Sequence, residues 1–276
     1  MKNIFIIGGG RWGRIIANKF SELGVNVITV TEHKIFPSDI SRKQSIDLNT
    51  TPDLIFIASK TEDHWNDFLF FSELKCPIWI EKCFHEMSDV NENIFFGGEN
   101  LIFNYYLYDN EINSIKENLK SKIFIHSFVE KPIKNKIEYC DWISHELSII
   151  TRLLFTKDSA SCCIGKPIFN VFNNQKYTLN FNINDIRIEI LTEISEYRFR
   201  EVILDNMYVF HSYWDGFIQL GKADLDQAIF KMGVLVKPDL LSLSIKNALD
   251  TKSSDNIMLS RFLFSLQKEI FKCVSF

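Results

Sequence analysis

The sequence predicts an α/β chain: an N-terminal, doubly wound parallel sheet of the Rossmann type, then an α+β domain with an open, mostly antiparallel sheet. Three observations carry that reading. The turn Gly8-Gly9-Gly10-Arg11-Trp12-Gly13 lies between an apolar strand and a helix, and short apolar strands alternate with helical segments to about residue 105. Period-2 segments then crowd the stretch from Ile168 to His211. The expected domains are residues 1–105 and 106–276.

In chain order, Asn3 to Ile7 reads as a buried strand, and Arg14 to Leu23 has the apolar spacing of a helix, with Gly24 as its C-cap. Asn26 to Thr31 is a second strand. Asp53 to Ala58 is apolar throughout, the pattern of a parallel strand covered on both faces. Glu62 to Leu74 reads as a helix, Pro77 to Ile80 as a strand and Asn93 to Phe96 as another short strand. Beyond them come a helix over Glu111 to Leu119, a strand over Lys122 to Phe128 and an apolar helix over Trp142 to Phe155. The segments IFNVF, YTLNFNI, IRIEILTEI, YRFREVIL and MYVFH follow as strands separated by Asn, Asp or Gly turns. Two helices, from about Pro238 to Leu249 and from Ser254 to Cys273, close the chain.

Composition removes several classes of function. A net charge of −4 leaves no basic surplus for nucleic acid. No apolar run reaches the ~18 residues of a membrane span. The run NIFII before the glycines is too short for a secretory leader, so a cytoplasmic protein is expected. The 6 cysteines have neither C-x-x-C spacing nor the density of a disulfide framework, which favours reduced thiols over metal ligands. The 25 phenylalanines read as compositional bias, not as a binding surface.

The glycine turn carries the first functional signal. In G-x-G-x-x-G between a strand and a helix, Gly8 permits the tight turn, Gly10 lets the backbone approach a pyrophosphate, and Gly13 lets the helix pack closely. Backbone N–H groups at Arg11 and Trp12, with the positive end of the helix dipole, then face the phosphates. Glu32, about twenty residues on, can accept hydrogen bonds from a ribose and repel a 2′-phosphate, which favours NAD. Thr31, His33 and Lys34 beside it could instead bind that phosphate, so NADP stays open.

Three further groups stand at strand ends or on a helix. Ala58-Ser59-Lys60-Thr61-Glu62-Asp63-His64 follows a parallel strand, with Thr61 read as an N-cap and His64 as a surface histidine or a ligand-facing one. Glu81-Lys82-Cys83 follows the next strand, and a lysine in a desolvated crevice is suited to acid–base work. Asp141 and His145 are four apart and share one face of the apolar helix that they open. A carboxylate so placed can orient an imidazole for proton transfer.

The order GGGRWG, ASKTEDH, IEKCF, DWISHELSIITRLL resembles the glucose–fructose oxidoreductase / inositol dehydrogenase / MocA family over nearly the whole chain. The resemblance implies that Gly8, Gly10, Arg11, Trp12, Gly13, Glu32, His33, Ser59, Thr61, His64 and Glu81 serve the dinucleotide. It also implies that Lys82 lies in the nicotinamide and substrate pocket, with Asp141 and His145 facing the substrate. Departures are Cys83 for the family's proline, Ile143 for a usual glycine, and Ser148 for a frequent second acid. The implied function is hydride transfer, with NAD or NADP, to or from a hydroxyl or keto carbon of a sugar or nucleotide sugar. The same resemblance implies a homodimer or homotetramer formed through the second sheet. Alternatives are an imine reductase and a non-catalytic nucleotide-binding regulator.

Overall fold

The computed structural model describes residues 2–31, 39–41, 44–45, 50–82, 84, 90–103, 116, 119–155, 163–173, 175–196, 199–205, 207–212, 217–222, 240–250 and 254–276. They divide into two units: Met1–Tyr105 with Asp239–Phe264, and Tyr106–Pro238 with Ser265–Phe276. The expected division at 105 places 239–264 in the second domain; that segment instead belongs to the first.

The first unit is built on five parallel strands in the order β2-β1-β3-β4-β5. They are β1 (Asn3–Ile7), β2 (Asn26–Val30), β3 (Leu54–Ile57), β4 (Ile78–Glu81) and β5 (Leu101–Phe103). Helix α1 (Arg11–Glu22) joins β1 to β2. Thr61–Asp63 and Ser72–Leu74 form 3-10 turns at either end of α2 (His64–Phe71).

Every residue of β3 and β4 is buried, as the apolar runs require of strands covered on both faces. One face packs Ile4, Ile6, Phe20, Phe56, Trp79 and Phe103. Trp79 stacks on Phe103 at 5.7 Å, and Phe20 meets Phe56 edge-on at 5.9 Å. Ile245 of α5 (Leu240–Asp250) completes this cluster, with Leu241, Ala248 and Leu249 against it. The other face holds Phe68, Phe84, Phe95 and Phe264 in edge contacts at 5.0–6.2 Å. Apart from Phe70, which is 38% exposed, the described phenylalanines of this unit are core, each contributing about 2 kcal/mol of burial.

Asn93 to Phe96 is helical, not a strand. A short helix, α3 (Glu92–Phe95), begins at Asn91, whose side chain accepts from the N–H groups of Asn93 and Ile94. That cap settles the local choice, and the strand of this region is β5, after the Gly97-Gly98 turn.

The second unit holds a seven-stranded sheet in the order β12-β11-β10-β6-β9-β8-β7. Its strands are β6 (Lys122–Val129), β7 (Ile168–Phe172), β8 (Lys176–Ile183), β9 (Ile186–Ile194), β10 (Phe199–Leu204), β11 (Met207–Ser212) and β12 (Phe217–Lys222). Only β6 and β9 pair in parallel. The sequence signal missed β12, and the expected helix over Glu111 to Leu119 lies mostly outside the described residues. Alternation is clear in β6, where Ile123, Ile125, Ser127 and Val129 are buried and Phe124, His126 and Phe128 are half-buried.

Helix α4 (Lys136–Leu154) begins earlier than the apolar run suggests. Asn135 is its N-cap and accepts from Glu138 N–H, while the Glu138 carboxylate accepts from Lys134 N–H. Asp141 therefore lies within the second turn and does not open the helix. The last helix, α6 (Ser254–Cys273), matches its expected bounds.

The entry to β6 is tied to the end of β10 through Asp205. Its carboxylate accepts from the N–H groups of Lys120 and Ser121 and from the Ser121 hydroxyl, at 2.6, 3.2 and 2.7 Å. Burial raises its pKa, but these bonds outweigh burial and hold it below the ordinary aspartate value. A carboxyl depressed in the folded state stabilises above the unfolded pKa of about 4, and that contribution is lost as pH falls through the folded value. Asp205→Ala is thus expected to lose about 1 kcal/mol at pH 7, with the difference from wild type shrinking in urea melts as pH falls through the carboxyl's range. A difference that grew on acidification would refute this.

Candidate functional site

In the order β2-β1-β3-β4-β5 the chain leaves β1 in one direction and β3 in the other, so a crevice opens beyond the carboxyl ends of these two strands. The glycine turn forms one wall. Gly8 has φ +109°, and a Cβ there would lie 2.6 Å from the Ala58 carbonyl oxygen. A Cβ on Gly13 would lie 1.9 Å from the Gly8 carbonyl oxygen, and one on Gly9 would press on the Thr31 side chain at 2.9 Å. The fold itself requires these three glycines.

Gly10 differs. It has an ordinary φ of −69° and ψ of 179°, caps α1 with no side-chain bond, and a Cβ there would meet nothing within 4 Å. Its small size thus leaves open space directly before the first turn of α1, the cradle that a pyrophosphate needs. No acidic side chain stands in that turn; exposed Arg11 leads it. Trp12 packs against the core cluster beneath. Arg14 fixes the turn from behind: its Nη1 donates to buried Asp39 at 2.6 Å, its Nη2 also pairs with Asp39, and its Nε donates to Gly9 O at 3.3 Å. The residues present fit a dinucleotide. Glu32 and His33 lie outside the described residues, so the ribose end rests on sequence.

Past β3 the chain is fixed by buried polar groups. His64 is fully buried, not on the surface, and its Nε2 lies 3.1 Å from Ser59 O. Ser59 Oγ donates to the buried Asp67 carboxylate at 2.5 Å. Thr61 is the first residue of the 3-10 turn, which Lys60 caps; it is not an N-cap. The sequence reading missed Asp67, although His64 and Asp67 are three apart and so neighbours on one helical face. It also missed Arg14 and Asp39.

At the end of β4, Glu81 is buried and Lys82 follows with φ +54°, a left-handed backbone that non-glycine residues rarely adopt. Lys82 N–H donates to Phe103 O at 3.3 Å, and Lys82 Nζ lies 3.8 Å from Glu81 Oε1. Cys83 lies outside the described residues. The structure thus brings Gly8, Gly10, Ser59 and Lys82 to the carboxyl edge of one parallel sheet.

In the second unit, Asp141 is half-buried and His145 is 8% exposed on α4. The Trp142 ring lies 6.4 Å from the His145 ring, nearly edge-on. Tyr139, fully buried on the same helix, has its phenol pushed well up by burial and then by the Glu146 charge, so it stays neutral. Among the described residues no cluster of His, Cys, Asp and Glu could hold a metal, and no helix is long and apolar enough to cross a membrane.

No protein-family model matches the sequence, and no curated protein matches it. Solved structures do. A UDP-N-acetylglucosamine 3-dehydrogenase, GnnA, from Acidithiobacillus ferrooxidans has TM-score 0.70 at 13% identity, covering 99% of this chain and 97% of its own. A Gfo/Idh/MocA family oxidoreductase from Vibrio cholerae has TM-score 0.68 at 12% identity, covering 99% and 96%. A levoglucosan dehydrogenase in complex with NADH has TM-score 0.66 at 10% identity, covering 99% and 96%. Likeness at this identity defines the fold: the chain has that of the Gfo/Idh/MocA oxidoreductases across both units.

Proposed function

We propose that this chain is a nicotinamide-dependent oxidoreductase acting on a hydroxyl or keto carbon of a sugar or nucleotide sugar. The observation that carries the proposal is Gly10, the one glycine of the turn whose size the fold does not need, opening onto the start of α1. The names of two similar structures, a nucleotide-sugar dehydrogenase and a levoglucosan dehydrogenase, support the substrate class. Glu32 favours NAD over NADP, since a carboxylate there repels a 2′-phosphate.

In this reading Gly8 to Gly13 hold the pyrophosphate, with Ser59, Thr61, His64 and Glu81 shaping the crevice beside it. The bound nicotinamide supplies or accepts the hydride. The chain manages the proton on the substrate oxygen: in this reading Lys82 or His145 transfers it, the other polarises the oxygen, and Asp141 is the orienting carboxylate. Positioned proton transfer of this kind is worth about a hundredfold or more.

The test is a fluorescence titration with NADH and NADPH, followed by absorbance assays at the nicotinamide band with sugars and nucleotide sugars. Binding of NADH more tightly than NADPH, with turnover on a member of the panel, is expected. Failure to bind either dinucleotide would end the proposal.

The second sheet carries charged pairs on its outer side, including Lys122–Glu189 at 2.6 Å and Lys176–Glu193 at 3.1 Å. Ile168 and Phe172 at its β7 edge are 58% and 49% exposed. Association of two or four copies through this sheet belongs to the same proposal, and a monomer in light scattering would count against it.

A further inference from the structure

Within the second unit lies an ion pair that no part of the proposed chemistry uses. Glu146 and Arg200 have fully buried side chains. Glu146 Oε1 accepts from Arg200 Nε at 2.9 Å and lies 2.8 Å from Arg200 Nη2; it also accepts from the Ser127 hydroxyl. The pair is planted in the middle of the sheet, because Arg200 of β10 faces Ser127 of β6, and Ser127 faces buried Thr192 of β9.

A pair so deeply buried is a poor stabiliser, since desolvation cancels most of its attraction and apolar residues of equal size hold as well. What it supplies is position. Glu146 directly follows His145 on α4. At about 100° per residue, the pinned carboxylate stands about 100° around the helix from His145 and about 140° from Asp141. Any rotation of α4 that moved those two would also leave a buried guanidinium without its carboxylate.

A second contact runs through side chains alone. The Arg200 guanidinium carbon lies 5.8 Å from the centre of the Trp142 ring, and that ring meets the His145 ring at 6.4 Å with an interplanar angle of 72°. Carboxylate, guanidinium, indole and imidazole therefore stand in one line of contacts, with the far end fixed to β10 and, through Ser127, to β6.

We propose that Arg200, held by Glu146, is a positioning residue for His145, acting through Trp142. The proposal rests on the reading of His145 as a proton-handling group, while the relay itself is a property of this unit alone. It is tested by replacing both charges together, Glu146→Leu with Arg200→Met, which leaves no buried charge alone. The His145 ring resonances are read by 15N-histidine NMR, assigned with His145→Gln, alongside kcat and cofactor KM.

The paired variant is expected to keep its circular dichroism while the His145 ring resonances shift. Its kcat should fall about tenfold to a hundredfold through misplacement, with cofactor KM within about twofold of wild type. Arg200→Lys keeps the charge without the planar fork and should not restore the wild-type His145 resonances. Should the paired variant fail to fold, Trp142→Leu leaves the ion pair intact and should produce the same shift in His145. Unshifted His145 resonances in either folded variant would overturn the relay. Shifted resonances in a protein with no dehydrogenase turnover would uphold the relay and refute the function instead.

Discussion

Gly10→Ala is expected to leave the protein folded and to weaken dinucleotide binding about tenfold or more, whereas Gly13→Ala should prevent stable folding. The two glycines are three residues apart in one motif, and only geometry separates them. A methyl on Gly10 meets no protein atom within 4 Å, at φ and ψ that alanine adopts freely. Its cost to folding should stay within about 1 kcal/mol, the range for an N-cap change. The space it fills is where phosphate oxygens would approach the N–H groups of α1, and a tenfold loss there corresponds to about 1.4 kcal/mol. A methyl on Gly13 falls 1.9 Å from the Gly8 carbonyl oxygen, a backbone atom that cannot swing aside. Gly8 cannot retreat, being itself at φ +109° and close to Ala58. A loss of about 4 kcal/mol or more is expected, the range reserved for such overpacking. Urea melts and NADH titrations on both variants make the comparison. Wild-type affinity in folded Gly10→Ala would show the turn to be structural only.

The fold was legible where one local rule had no competitor. β3 and β4 are apolar because both faces are covered, and β8 to β10 alternate because one face is. It was illegible where a short side-chain bond outweighed pattern. Asn91 turns an apolar Asn93–Phe96 run into α3, and Asn135 with Glu138 starts α4 before its apolar stretch begins. The placement of α5 with the first unit depends on long-range packing of Ile245, Leu241 and Leu249, and that of the first half of α6 on Ser260 against Ile102 and Phe264 against Phe84, none of which periodicity can assign to a partner. At the site, glycines and strand-end residues were readable from spacing. The buried polar partners were not: Asp39 for Arg14, Asp67 for Ser59 and Arg200 for Glu146 are 25, 8 and 54 residues away.

Lys82 offers the sharpest separation of stability from function. Its φ of +54° is strained for any residue with a Cβ, by about 1 kcal/mol. The backbone is held there by β4 on one side and the bond from Lys82 N–H to Phe103 O on the other. Lys82 Nζ stands 3.8 Å from Glu81 Oε1. Lys82→Gly is therefore expected to melt at the same temperature as wild type or higher while losing turnover about a hundredfold or more. Lys82→Ala keeps the strain and should lose the same activity with no gain in stability. Cofactor affinity should survive in both, since the glycine turn is untouched. The opposite outcome, a Lys82→Gly enzyme that turns over like wild type, would remove Lys82 from the reaction and leave its backbone conformation as a turn and nothing more.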